Sequence, residues 1–381
     1  MSKWESLQLN KIAGLVMGQS PSSDSYNTEG EGMPFFQGKS DFGKVNPKIR
    51  MYCKSPKKLA HKNDILLSVR APVGDVNIAE GTCCIGRGLA AISGQKEKSY
   101  SKYIYYYLLW KKKELENIGV GSTFKAIGKK DIEKILIPLP PLDIQKKIAT
   151  ALDTANALIE KRKEQIEKLD LLIKSQFIEM FGDPVTNPKG WEKKKLKKEC
   201  DVITGNTPSR LNLSNYGNYI EWIKSDNINT TSMYLTQARE GLSEEGLSIA
   251  RSVDEGNILM TCIAGSLSCI GNVAIADRKV SFNQQINAIV PKENNHLFIY
   301  HLLLLSKPYI QGKVNMSLKG ILSKGKLLEL EFFFPPLSLQ IQFAEFVEKV
   351  EAQKALLKKS LADMEQNYQS FMQKCFKGEI F

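Results

Sequence analysis

The sequence predicts an α+β chain. Two similar mixed α/β units are separated by two long helices that form an antiparallel coiled coil, and the whole is a pseudo-two-fold internal repeat. The prediction rests on three observations. At 381 residues the chain is too long for one ordinary core. Short sequence elements recur, in the same order, in a second copy. Each copy closes on a proline pair, after which the apolar pattern turns helical.

Trp4-Glu5 leads to Gly18-Gln19-Ser20-Pro21, and Trp191-Glu192 leads at the same spacing to Gly205-Asn206-Thr207-Pro208. Further on, Asp64-Ile65-Leu66-Leu67-Ser68-Val69 is echoed by Asn257-Ile258-Leu259-Met260-Thr261-Cys262. Val73-Gly74-Asp75-Val76-Asn77-Ile78 is echoed by Ile270-Gly271-Asn272-Val273-Ala274-Ile275, and Tyr103-Ile104-Tyr105 by Phe298-Ile299-Tyr300. Thr123-Phe124-Lys125-Ala126-Ile127 matches Ser317-Leu318-Lys319-Gly320-Ile321. Pro140-Pro141-Leu142 with Gln145 matches Pro335-Pro336-Leu337 with Gln340. Between these anchors the copies differ greatly, so they share a scaffold and present different surfaces.

Within each copy the apolar runs Ile65–Val69 and Val273–Ala276 read as strands, bounded by Gly, Pro and Asn. Tyr103–Lys113 and Leu297–Ser306 read as short helices. The tyrosines Tyr103, Tyr105, Tyr106 and Tyr107 could stack on bases, but their helical context favours core packing. Ile135–Pro138 and Glu331–Phe334 read as strands that run into the proline pairs, which end each unit by removing backbone donors.

After the first proline pair, Leu152, Ile159, Ile166, Ile173 and Met180 recur every seven residues. A second row runs Ile148, Ala155, Arg162, Leu169 and Gln176. Between the rows lie Lys, Glu, Asp and Gln, so the expectation is one long helix with a narrow apolar seam, stopped at Gly182-Asp183-Pro184. In the second copy Phe343, Val347, Val350, Leu357, Leu361, Met364, Tyr368 and Phe371 carry the seam, Lys354 interrupts it, and Gly378 ends it. A narrow seam needs a partner, and the simplest one is the other helix. Antiparallel pairing would set one unit at each end.

The net charge of +12, from 53 Lys+Arg against 41 Asp+Glu, favours a polyanionic partner. The 7 cysteines form no CxxC pair, and the 3 histidines have no metal-ligand spacing to them. No metal and no cofactor are expected, and reduced packing cysteines suit a cytoplasmic protein. The start, MSKWESLQLNK, is polar, and no apolar run is long enough for a membrane span. A phosphate-binding GxxxxGK[ST] loop is absent, since Gly325-Lys326 is followed by Leu327 and no suitable glycine precedes Gly128-Lys129. The order Asp183-Pro184, Glu192-Lys193-Lys194 has a nuclease-like outline, but it spans a linker and is common by chance.

Two variable units, each opened by Trp and closed by Pro-Pro-Leu-x-x-Gln, alternating with two long similar helices, resemble the specificity subunit of type I restriction-modification systems. The linker from Phe181-Gly182-Asp183-Pro184 to Gly190-Trp191 is especially characteristic. The resemblance covers essentially the whole chain. It implies a first target recognition domain at 1–141, a first conserved long helix at 142–182, a second target recognition domain at 183–336 and a second conserved helix at 337–381. It also implies a non-catalytic subunit that reads a bipartite, asymmetric site on double-stranded DNA. Its implied partners are two methyltransferase (modification) subunits and, through them, restriction subunits.

Sequence is read at base edges by polar side chains on turns, and phosphates are held by cations. In the first unit the candidates are Gln19, Ser20, Ser22 and Ser23, then Arg70 and Arg87, with Lys39, Lys44 and Lys125 as phosphate anchors. In the second they are Thr207, Ser209, Arg210, Lys224, Asp226, Asn227, Ser266, Gln284 and Gln285, with Lys319 matching Lys125. Arg87 aligns with Gln284; arginine suits the acceptors of guanine, and glutamine suits adenine. Each of these side chains could equally serve a neighbour within the fold. A stand-alone DNA-binding regulator is the alternative function, and an enzyme with an unrecognised site a third.

If Lys125 touches a phosphate, Lys125→Ala should weaken binding to all sequences alike and lower the salt slope by about one. The seam also makes a length prediction. From Asp143 to Met180 a helix is about 57 Å long. One heptad inserted into both helices keeps the seam in phase and adds about 10 Å, or about three base pairs. It should lengthen the preferred spacer of a split site or abolish specific binding. Unaltered methylation at the original spacer by the variant with its partners would show that the helices do not measure distance.

Overall fold

The computed structural model describes residues 3–118, 126–316 and 320–381. The chain forms two compact units, one of Met1–Glu164 with Lys358–Phe381 and one of Gln165–Leu357. These bounds cross the two long helices, Leu142–Phe181 and Leu337–Lys377, so each unit contains part of both.

The first unit is built on a four-stranded antiparallel sheet in the order Ala13–Met17, Leu89–Gly94, Ile65–Ser68, Val76–Ile78. Ile65-Leu66-Leu67 is buried throughout, because alternate side chains enter two different cores. Ile65, Leu67, Ala90 and Ile92 pack with the helices, and Leu66, Leu89 and Ala91 pack with Phe36, Ala60 and Ile85 of a second sheet. That second sheet orders Tyr26–Asn27, Met51–Cys53, Met33–Phe36, Cys83–Ile85 and Leu59–Ala60, and its Phe35↔Cys84 pairing is parallel. Helix Ser101–Trp110 buries the tyrosine run as expected. The Tyr103 hydroxyl donates to the Pro138 carbonyl (2.6 Å) and that of Tyr107 to Leu136 (2.8 Å), which fixes the helix to the strand Leu136–Pro138.

The second unit repeats this plan. Its main sheet orders Cys200–Thr204, Ile286–Pro291, Ile258–Thr261 and Val273–Ile275. Ile258, Met260 and Ile289 face the helices, whereas Leu259, Ala274 and Ala288 face a second sheet. There Tyr216–Ile223 pairs in parallel with Val280–Phe282 through Trp222↔Ser281. All seven cysteines are free, and all but Cys269 are buried.

The recurring motifs are joints. Gln145 is buried; its amide donates to the carbonyls of Pro140 (2.8 Å) and Lys98 (3.0 Å) and accepts from the Tyr100 N–H (2.8 Å). Gln340 repeats this with the Pro335 carbonyl (2.8 Å), Asn294 (2.7 Å) and the Asn295 N–H (3.0 Å). Each glutamine ties a long-helix start to the start of a short helix. The tryptophans sit at helix ends. Trp191 Nε1 donates to the Phe181 carbonyl at 2.9 Å, and a Cβ on Gly378 would meet the Trp4 ring at 2.8 Å. Gly182 (φ 83°) and Gly378 (φ 75°) take the left-handed conformation that stops an α-helix.

The long helices pair antiparallel within each unit. In the first, Arg162 donates to Ser360 (2.5 Å) and Lys163 pairs with Glu365 (3.0 Å), while Ile148, Leu152 and Ile159 join Tyr368, Met372 and Phe376 in one core. Leu361 and Met364 pack half-buried on it. In the second, Ile173, Phe177 and Phe181 join Phe343, Val347 and Val350, with Leu169 packed against them. Ile166 and Leu357 are half-buried. The seam departs from the heptad reading at its end, where Phe177 and Phe181 are buried and Gln176 and Met180 only partly so. A straight helix has 3.6 residues per turn, so a strict seven-residue row drifts off the buried face. Lys354 is not a surface interruption. Its side chain is 5% exposed, and it pairs with Asp170 and with Glu351 (3.0 Å).

Phe177 stacks with Phe298 (5.7 Å) and meets Phe181 and Phe343 edge-on. Phe177→Ala should destabilise the second unit by about 3–5 kcal/mol, read as faster hydrogen exchange across residues 165–357. His301 is buried, its Nε2 makes no hydrogen bond, and burial, then Lys354, pushes its pKa down from 6.5 to about 3. The unfolded chain therefore takes up this proton first. The stability linked to the neutral ring is complete above pH 6.5 and drains away as pH falls toward 3, by at most about 1.4 kcal/mol per pH unit. His301→Phe should flatten the decline in urea midpoint between pH 7 and pH 5; an identical slope in the variant would assign it elsewhere.

Candidate nucleic-acid interface

In each unit a turn after the first sheet strand is fastened to the loop between two later strands. Gly18 N–H donates to the Leu89 carbonyl (2.9 Å) and Gln19 N–H to Ile85 (3.0 Å). The Ser20 hydroxyl accepts from the Arg87 N–H (3.2 Å). A Cβ on Gly18 would lie 2.1 Å from the Gly86 carbonyl oxygen, so only glycine permits this approach. In the second unit Gly205 N–H donates to Ile286 (3.0 Å) and Asn206 N–H to Phe282 (3.1 Å), and the Thr207 hydroxyl bonds the Gln284 amide. A Cβ on Gly205 would be 2.2 Å from the Asn283 carbonyl. Tyrosines missed in the sequence brace both turns: Tyr26 donates to the Pro21 carbonyl (2.9 Å) and Tyr216 to Pro208 (2.7 Å). A tyrosine a few residues beyond the Gly-x-(Ser/Thr)-Pro element was the available signal.

A third strip joins each site. The Phe36 carbonyl accepts from Gly86 (2.8 Å), and that of Ile223 accepts from Asn283 (3.1 Å). Beyond them, the Asp41 carboxylate takes the Gln37 N–H (2.7 Å), and Asn227 Oδ1 takes the Lys224 N–H (3.0 Å). The structure thus brings together Gln19, Ser20 and Arg87 in one unit, and Thr207, Lys224, Gln284 and Gln285 in the other, where Ser225 donates to Gln285 Oε1 (3.2 Å). Ser22 and Ser23 are exposed on the first turn, and Ser209 and Arg210 on the second. Asp226 is exposed beside Lys224.

One expectation is corrected. Asn227 is buried, and its amide also donates to the Gln237 carbonyl (3.1 Å), so it shapes the turn instead of facing a ligand. Lys39 is paired with Asp75 (2.7 Å), and Lys44 with Glu160 on the first long helix (2.5 Å). Both line a cavity of about 250 Å³ with Tyr105 and Tyr368, and the Lys44 side chain stays 80% exposed to solvent. Arg70 and Ser266 stand on a separate pair of loops. Arg70 bridges to Ala126, and Ile263–Ala264 pairs with Gly320–Ile321, while the Ser266 hydroxyl caps Ser268. Lys125 and Lys319 lie outside the described residues. Arg70 and Arg87 are exposed and enter no ion pair among the described residues.

No three His, Cys, Asp or Glu side chains cluster as metal ligands would among the described residues, and no described helix is long and apolar enough to cross a membrane. Burial pushes the thiols of Cys83, Cys200 and Cys262 up to about 12, so these three are not activated.

Residues 1–168 and 188–366 each match the family described as type I restriction modification DNA specificity domain. A stretch of 170 residues is 54% identical to the putative type I restriction enzyme MjaX specificity subunit of Methanocaldococcus jannaschii, covering 43% of this chain and 40% of that protein. The MjaIX specificity subunit from the same organism is 30% identical over 54% of each chain. The chain therefore spans about half the length of these two relatives or less. The EcoBI specificity subunit of Escherichia coli is 23% identical over 99% of this chain and 86% of its own. Among solved structures, one from work on the assembly and conformational transition of the type I R-M system has a TM-score of 0.65 at 18% identity, covering 99% of this chain and 98% of its own. The S subunit from M. genitalium has a TM-score of 0.57 at 15% identity, covering 98% and 96%. At these identities the likeness concerns the fold.

Tyr216→Phe leaves the Pro208 carbonyl without its donor. It should cost about 1 kcal/mol of stability, read from hydrogen exchange of residues 205–216; unchanged exchange would mean that the tyrosine does not brace the turn.

Proposed function

Because this chain belongs to the type I restriction modification DNA specificity domain family, we propose that it reads a bipartite, asymmetric site on double-stranded DNA and delivers partner enzymes to it. One observation carries the reading. The same glycine-dependent turn is fastened to the same loop in both units, yet the side chains mounted there differ, Arg87 in one and Gln284 in the other. A constant backbone with exchanged polar tips suits two independent readers of base edges.

The target recognition domains are 1–141 and 183–336. The readers of the first are Gln19, Ser20, Ser22, Ser23, Arg70 and Arg87. Those of the second are Thr207, Ser209, Arg210, Lys224, Asp226, Ser266, Gln284 and Gln285. The long helices offer the common surface on which two methyltransferase subunits dock, and restriction subunits join through those. The complex works in the cytoplasm, where the free thiols remain reduced. Methyl transfer and strand cleavage belong to the partners.

Selection of binding sites from random duplex DNA tests this. The full chain with its partners should enrich two unlike half-sites around an unspecified spacer. Arg87→Ala should relax one position of one half, and Gln284→Ala one position of the other, each by about 1–3 kcal/mol. Exchange of residues 191–336 for another member's should rewrite one half alone. If either change altered both halves, the units would not be independent readers. The isolated chain should transfer no methyl group and cut no DNA.

A further inference from the structure

The second unit carries a construction that the first lacks among the described residues. The Arg210 guanidinium lies over the rings of Tyr216 (4.8 Å) and Trp222 (5.3 Å), and Lys224 Nζ lies 5.1 Å from the Trp222 ring. Glu240 sits between the two cations. One carboxylate oxygen accepts from Arg210 Nη2 at 2.8 Å and the other from Lys224 Nζ at 2.6 Å. The Glu240 carbonyl accepts from the Trp222 N–H (3.1 Å), so the strand that bears the ring also holds the carboxylate in place. The Lys224 hydrogen bond, ahead of the one from Arg210, keeps Glu240 below the ordinary carboxylate range, which keeps it charged. In the first unit the matching rings are Tyr26 and Phe35, 4.7 Å apart, with no cation over them among the described residues.

The loop that bears Arg210 is tied down and displayed. Asn215 Nδ2 and Asn212 N–H donate to the Ser209 carbonyl (3.1 and 3.3 Å), and Tyr216 holds Pro208. Next to the arginine, Leu211 is 98% exposed and Leu213 80% exposed. Arg210 itself keeps 57% of its side chain in solvent.

We propose that Arg210 reads a guanine in the half-site of the second unit, and that Glu240 is its positioning residue. This rests on the DNA-reading function proposed above and names a base within it. The choice of base over phosphate follows from charge and geometry. A phosphate anchor needs an unspent cation, because its contribution is counterion release. Arg210 shares Glu240 with Lys224, so the trio keeps one net positive charge, half of what two unpaired cations would offer. The planar donors of Arg210, however, are fixed in direction by two rings and one carboxylate. A guanidinium has five N–H donors, and one carboxylate oxygen leaves a pair free for O6 and N7 of guanine. Preorganisation lowers the entropy lost on binding, which is where a directed contact gains over a mobile lysine.

The test is binding-site selection and competition with the full chain, comparing wild type with Arg210→Ala, Arg210→Lys and Glu240→Gln. The wild type should require a guanine at one position of one half-site. There, 7-deazaguanine, which lacks N7, should weaken its binding roughly 10- to 100-fold. Both Arg210 variants should lose that preference, keep the remaining positions and be indifferent to 7-deazaguanine. Glu240→Gln should reduce the preference while Glu240→Asp recovers part of it, a rescue that a bulk effect on folding would not produce. Arg210→Ala weakening all sequences alike, with a salt slope lower by about one and restoration by Arg210→Lys, would make it a phosphate anchor and overturn the proposal. An unchanged selected motif in both Arg210 variants would overturn it too, leaving the DNA-reading function intact. Failure of the wild type to select any motif would instead defeat that function, and this inference with it.

Discussion

Neither long helix can bury its apolar seam alone, and the rest of the structure depends on how that debt of exposed surface is settled. A seam a few residues wide is too narrow for a globular core and too long to leave in water. In the first unit Ile148, Leu152 and Ile159 find Tyr368, Met372 and Phe376; in the second Ile173 and Phe177 find Phe343 and Val347. The first compact unit is therefore assembled from two stretches of chain that are distant in sequence, and the second from one continuous stretch whose two helical ends pair with each other. The recurring motifs follow from this requirement. Gln145 and Gln340 seat the starts of the helices, and Trp4 and Trp191 close their ends. The glutamines recur because each meets the carbonyl of the first proline of its pair and a backbone N–H at the start of a short helix, whatever the loops between them do.

Fixing the scaffold so thoroughly frees the reading loops. The Gly18 and Gly205 turns are held by main-chain hydrogen bonds, which make no demand on the side chains they display. Polar tips can then change without loss of the fold. The charge surplus is distributed differently from what composition suggests. Lys39, Lys44, Lys112 and Lys163 all pair with carboxylates inside the first unit. The +12 is thus a diffuse surplus that favours a polyanion, separate from directed polar groups such as Arg87 and Gln284, which the proposed reading makes the carriers of specificity.

Much of the fold was legible because it is periodic. Two copies of one motif series gave the two units, the apolar run 65–69 gave a central strand, and the seven-residue rows gave the paired helices. The second sheet of each unit was not legible. Its strands, such as Leu59–Ala60 and Ser252–Val253, are too short to show alternation, and its parallel pairings join segments far apart in sequence. In the site, glycine and proline marked the turns, because only they meet the backbone constraints there. Asn227 misled, since a polar residue on a turn looks the same whether it faces solvent or the backbone across the fold. Glu240 gave no signal: its two partners lie 30 and 16 residues away, and nothing local distinguishes it from a surface glutamate.

The helices also show where repetition stops. Ile159 and Lys354 stand equally far beyond Leu142 and Leu337, yet one is part of an apolar core and the other a buried cation. Burying a cation is an expensive way to gain stability even when, as here, its partner Asp170 stays 56% exposed, and an apolar residue of similar volume is often better. What the pair does supply is discrimination between registers. Apolar seams tolerate a slip of one heptad, because leucine meets isoleucine either way. A slip of seven residues would set Lys354 against Lys163 or Phe177 in place of Asp170, leaving the buried ammonium with only Glu351 of its own helix. Only one register meets it with Asp170. The apolar seam therefore drives the helices together, and polar contacts such as those of Lys354 with Asp170 and Lys163 with Glu365 favour one of the alignments that the seam by itself would allow.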